Sequence, residues 1–230
     1  MPGSIGSPSR GVEPGSRPTA SSSVGEARSI LRDPDASPTL AVLLDVLPVL
    51  AARLKRARHW AALRIRDPES GLVYERLAGR ARLEVCATGR VYRLAIHRFG
   101  GEGPPGAMHD HRFPIAVLPL AAAPTVEDVL YEMPWRDREL GTSGRILVRD
   151  GESYAIERAS AVLHAVHGRG PHLSVVVSDE TEPPLRELRL EWEPMRWREA
   201  RALRRAGRLA IEAHQDRPER PVATRSNGPG

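Results

Sequence analysis

Residues 97–120 read HRFGGEGPPGAMHDHRFPIAVLPL, and both the fold and the chemistry turn on this stretch. A turn rich in glycine and proline leads into His109-Asp110-His111, and an apolar run over 113–120 follows. Side chains of an extended strand alternate with period two, so His109 and His111 share one face and both imidazoles can reach one ion. Asp110 then points away, as does Arg112 unless a bulge re-aims it, and with the turn residue Glu102 these are read as structural. A second histidine cluster follows in SAVLHAVHGRGPHLSVVV, residues 160–177, where His164 precedes another apolar strand. Three neutral imidazoles around a cation suit Fe, Zn, Cu or Ni and leave positions open for water, oxygen or substrate.

Working outward, strand periodicity recurs over 82–86, 90–99, 113–120, 145–148, 153–156 and 172–178, in short apolar or alternating runs separated by Gly, Pro or Asp turns. That density predicts a sandwich or barrel over about 70–190. The 28–69 segment is read as helical. Ser37 and Pro38 give an N-cap and first-turn signal ahead of Leu40, Leu43, Leu47, Leu50 and Leu54, with a kink or restart expected at Pro48. Past 190, Trp192, Met195, Trp197, Leu203, Leu209 and Ile211 stand among alternating Arg and Glu, predicting a strand or turn and then a helix over 191–214 whose charges form a solvated face. The ends, 1–27 and 215–230, are rich in Gly, Pro and Ser and poor in large apolar side chains, so they are expected to be disordered.

At 230 residues the chain can bury one sizeable core. The net charge is +5, yet Lys55 is the lone lysine among 34 basic residues, a pattern of composition bias rather than of a nucleic-acid surface. No basic stripe interleaved with aromatics occurs, so nucleic acid is not an expected partner. The single cysteine, Cys86, excludes an internal disulfide and a thiolate metal cluster and is read as a small strand residue. No run of 18 uncharged apolar residues and no secretory pattern appears, so a cytoplasmic protein without membrane association is expected.

The segments FGGEGPPGAMHDH, GRILVRDGESYAIERASAVLHAVHG and PHLSVVVSDETEPP, within residues 90–184, resemble the cupins and, among them, the cysteine dioxygenase-like group. The resemblance implies a mainly β, jelly-roll barrel with flanking helices at both ends. It also implies Fe(2+), or another divalent metal, on two histidines of an H-x-H strand and one of a later L-H-x-V segment; the matching positions are His109, His111 and His164. The glutamate that many cupins carry after H-x-H is missing, which fits the three-histidine iron branch. The family's substrate-carboxylate arginine lies on an early strand, where Arg82 is the nearest match and Arg76 the alternative. Departures are as informative: Ala116 stands where some members offer a cysteine. On the last strand, Ser174, Val176 and Ser178 stand where members carry serine, histidine and tyrosine.

The other histidines read as structural. His97 sits in a strand pattern beside Ile96 and Phe99, His167 competes with His164 for the ligand position, His172 is expected to be exposed at a strand start, and His59 and His214 lie in helical or tail segments. Tyr131, Met133 and Trp135 are expected in the core or a pocket wall, with Tyr131 a candidate replacement for the absent tyrosine. Two functions follow from the residues and the resemblance. One is a non-haem iron oxygenase or dioxygenase acting on a small anionic metabolite, a thiol or a carboxylate. The other is a non-catalytic metal-containing cupin that binds a small ligand or regulates.

Overall fold

The computed structural model describes residues 30–56, 60–82, 91–100, 103–111, 113–121, 130–157, 161–168, 170–179 and 190–217. The expected N-terminal tail, His59, Cys86, Glu102 and Arg112 lie outside them. The strands are β1 (Ile30–Leu31), β2 (Ala61–Arg66), β3 (Val73–Arg82), β4 (Val91–Gly100), β5 (Ile115–Ala121), β6 (Leu130–Asp137), β7 (Ser143–Arg149), β8 (Tyr154–Ile156), β9 (Val162–His164), β10 (His167–Gly168), β11 (Pro171–Asp179) and β12 (Glu191–Pro194); the helices are α1 (Pro38–Leu54) and α2 (Trp197–Gln215).

The closed barrel expected from the sequence is not what forms. The strands make two separate antiparallel sheets, an eight-stranded one in the order β1-β8-β5-β11-β4-β3-β2-β12 and a four-stranded one of β10, β6, β7 and β9. Among the described residues no strand ladder joins the edges of one sheet to the other; a single bridge, His109 to His164, reaches from the chain just before β5 to the smaller sheet. The two helices lie in the chain segments the sequence assigns to them and pack on one face of the large sheet. Alternation along β11 turns Leu173, Val175 and Val177 to one side, where they share a core with Leu40, Leu43, Leu50, Leu203 and Ile211 of the helices. Ile115 and Val117 turn the other way and pack with Tyr131, Met133, Trp135, Val148 and Val162 of the smaller sheet. Helices, large sheet and small sheet are therefore three layers, a mixed α/β arrangement with two cores.

The α1 start is as the sequence predicts: Ser37 is extended and its Oγ accepts from the Leu40 N–H at 3.1 Å. Glu157, just beyond β8, completes the cap by accepting from the Thr39 N–H and Oγ1 at 2.9 and 3.0 Å. The helix does not restart at Pro48 but runs as one element to Leu54. Pro48 lies on the exposed side, where water can satisfy the carbonyl that its ring leaves without a partner. Two strands, β1 and β2, lie within the segment read as helical. On α2, Gly207 permits close approach to β4, since a Cβ there would meet Ile96 Cδ1 at 2.7 Å.

One interruption in the small sheet has a simple cause. His164 pairs with Trp135 and His167 with Glu132 in a single continuous register, so β9 and β10 are one strand line broken at Ala165 and Val166. The break lies opposite Pro134, which accepts from the Ala165 N–H at 3.2 Å but has no N–H to return.

Candidate metal centre

His109 and His164 face each other in an antiparallel bridge, their N–H groups donating to each other's carbonyls at 2.9 and 2.8 Å. Directly opposed residues project to the same side, and His111, two residues on, projects there too. The rings converge with centroids 4.5 to 5.0 Å apart. One donor atom from each lies within 4.8 Å of the others. These three imidazoles form a cluster able to chelate a metal. His167, three residues past His164, falls on the opposite face and is not part of it.

The cluster is chemically prepared for a cation. Burial pushes the His111 pKa down to about 3, with His109 and then Arg76 adding to the effect. Burial also holds His164 well below the usual histidine range, helped by His109 and His111, and lowers His109 against the opposing pull of the Ala107 carbonyl. All three are thus neutral at pH 7, the form that ligates. His109 Nδ1 is 2.8 Å from the Ala107 oxygen; donation there fixes the tautomer with the Nε2 lone pair available. Among the described residues His164 Nδ1 is buried with no hydrogen-bond partner, as expected of a nitrogen left for an ion or a bound molecule.

The loop before H-x-H is anchored by a residue that the sequence reading did not single out. Asp67 ends the β2 side of the β2–β3 turn, is buried, and accepts from Ser70 Oγ at 2.6 Å, from the Glu69 N–H at 2.9 Å and from the Ala107 N–H at 3.2 Å. Burial alone would raise its pKa, but these donors outweigh that and lower it. The path from Asp67 through the Ala107 peptide to His109 Nδ1 is continuous. The sequence signal was the turn pattern Asp67-Pro68-Glu69-Ser70-Gly71, with Asp67 in an Asx-turn role.

Facing this cluster is the inner side of the large sheet. Arg76 of β3, His97 of β4 and Ser174 of β11 are cross-strand partners in one row. Of the two arginines singled out in the sequence, Arg76 stands beside these rows: burial lowers the pKa of His97 and His111 and the Arg76 guanidinium adds to it, while burial raises Tyr74 against the pull of Arg76. Arg82 ends β3, paired with Val91, and its side chain is outside the described residues. The neighbouring row, Tyr74, Phe99 and His172, is aromatic, with Phe99 and His172 stacked at 4.5 Å. His172, expected to be exposed, is 1% exposed. Its ring lies edge-on to Tyr131 at 4.3 Å and donates from Nδ1 to the Gly170 oxygen at 2.8 Å if that nitrogen carries the proton. The Tyr131 hydroxyl donates to the Leu173 oxygen at 3.5 Å, and burial raises its pKa well above the usual phenol value, so it stays protonated. Val176 and Ala95 form a third, apolar row with Ala78. Asp110 points away from the cluster as expected and pairs with Arg138 at 2.9 Å. His214 lies on α2 against Gly151, remote from these rows in the fold.

No protein-family model and no curated protein matches the sequence. Among solved structures the chain is similar to oxalate decarboxylase of Bacillus subtilis, at 14% identity and TM-score 0.34 over 47% of this chain and 26% of that one. An RmlC-like cupin from Shewanella frigidimarina is similar at 12% identity and TM-score 0.31 over 51% and 84%, and a cupin domain from Bordetella pertussis at 14% and 0.28 over 39% and 82%. The chain thus spans about a quarter of the length of the decarboxylase. Similarities this distant leave the assignment to the geometry. Fold and site together define a mixed α/β protein of two sheets and two covering helices, with an internal three-histidine cluster able to chelate a metal. No helix among the described residues is long and apolar enough to cross a membrane.

Proposed function

We propose that the chain is a metal-dependent cupin of the three-histidine kind, in which His109, His111 and His164 hold a divalent metal, Fe(2+) before others, and that it is an oxygenase acting on a small anionic thiol or carboxylate. The observation that carries this reading is the convergence of three neutral imidazoles whose donor atoms lie within 4.8 Å of one another. When bound, the metal would supply open coordination positions and redox chemistry that imidazoles lack. The chain's own residues do the rest. Three uncharged ligands leave the ion's full positive charge uncompensated, which favours an anionic guest. Arg76 adds a guanidinium suited to paired, charge-assisted hydrogen bonds with a carboxylate, and Arg82 is the second candidate for that role. The Ala78, Ala95 and Val176 row supplies an apolar floor that limits water around the guest.

The test is metal analysis of wild-type, His164→Ala and His167→Ala protein, followed by oxygen uptake with iron and a panel of thiols and carboxylates. Metal near one per chain is expected in wild type and His167→Ala and a strong loss in His164→Ala. Equal metal in all three sinks the ligand set. Iron-loaded protein that binds a thiol or carboxylate tightly without consuming oxygen moves the reading to a binding module.

A further inference from the structure

His97 projects from the middle of the large sheet toward the three-histidine cluster without joining it. Its cross-strand partners are Arg76 on β3 and Ser174 on β11, so the three make a polar row between an aromatic row and an apolar one. Its Nε2 is buried and bonded to nothing among the described residues. The ring is held in place by Tyr74 at 5.2 Å and by the edge contact with Phe99 at 6.2 Å. It is electrostatically coupled to Arg76, His111 and His109. A buried nitrogen without a partner carries a desolvation cost that persists unless something visits the space in front of it.

We infer that His97 is a specificity-determining residue, whose Nε2 hydrogen-bonds the acid group of a guest that also contacts Arg76 and reaches the metal with its other end. The inference rests on the metal-dependent reading above and deepens it by naming the guest class. That class is a small carboxylic acid that also carries a metal-binding atom. The polar row runs across strands spaced about 4.8 Å apart, so Arg76 and His97 can touch two oxygens of one carboxylate. Donor-only Arg76 supplies the charge and His97 the direction. A guest with the metal-binding atom but no acid group gains nothing from either residue.

Cobalt-loaded protein tests this, with thioglycolate as the probe and ethanethiol as its counterpart lacking the acid. The reading is the thiolate-to-cobalt absorption band as each is titrated. Wild type is expected to prefer thioglycolate by at least tenfold. His97→Phe should lose about tenfold in thioglycolate affinity while keeping its cobalt and its ethanethiol affinity. His97→Gln, which restores a polar atom near Nε2, should stay within about threefold of wild type. Unchanged thioglycolate affinity in His97→Phe, an equal loss for both probes, or no preference in wild type each overturns the assignment of His97. Wild-type protein that takes up no cobalt overturns the metal reading itself, and the inference with it.

Discussion

Gly168 shows how single residues shape the interior. A Cβ at this position would lie 2.0 Å from Cε1 of His172, a ring held between Phe99 and Tyr131. Gly168→Ala should therefore behave as overpacking and cost about 1–3 kcal/mol, read as a lower urea midpoint at unchanged m; a midpoint equal to wild type would mean that the ring can move aside. The same contact explains why His172 was misread. A histidine after Pro171 reads as an exposed strand start, and only the glycine of a neighbouring strand line opens the space that buries it. His109 and His111 were legible because period two needs no partner to put them on one face. His97 was not, because its meaning depends on which side of β4 turns to the second sheet. That is set by registers with β3 and β11, segments well separated along the chain.

Elements meet the site through their ends, and the β2–β3 turn is the clearest case. Asp67 holds that turn and also the Ala107 N–H, whose own carbonyl receives His109 Nδ1. Asp67→Ala should lower cobalt or iron affinity about tenfold to a hundredfold with all three ligands intact, the usual effect of removing an outer-shell partner. Competition against a chelator measures it, and affinity equal to wild type would show that the loop holds itself. Glu157 plays the comparable part at the start of α1, where its carboxylate meets the Ser37 and Thr39 donors near the positive end of the helix. Glu157→Ala should cost about 1–2 kcal/mol by thermal unfolding without changing metal content; a loss of metal would place the cap in the site's support. Among the elements themselves, α1 was legible from Ser37, Pro38 and the leucine spacing. β6 was passed over because Pro134 reads as a strand breaker, and the structure accommodates it by breaking the partner strand instead.

For the whole molecule, the layered arrangement does what barrel closure would have done, since α1 and α2 cover the outer face of the large sheet and the small sheet covers the inner. Strand density alone could not separate these outcomes, because a barrel and two facing sheets share the same alternation along each strand. The arrangement buries several histidines in one interior, and acid sensitivity follows. Burial brings His97 and His111 down to about 3, and brings His172 to about 4 against the pull of the Gly170 carbonyl. In the unfolded chain these groups return to about 6.5. Between those values the unfolded state binds protons that the folded state refuses, so stability rises with pH across the window and is fully present only above about 6.5. Asp67 acts in the same direction, with its contribution lost only as the pH falls through the carboxylate range. Metal-free protein should thus hold its urea midpoint near pH 7 and lose it steadily from about pH 6.5 toward 4. His172→Phe keeps the stacking on Phe99 and removes one titrating ring, so its stability should fall less steeply, by up to about 1.4 kcal/mol per pH unit below 6.5. Parallel curves for wild type and His172→Phe would show that His172 is protonated in the folded protein, and that its burial is not what makes the fold sensitive to acid.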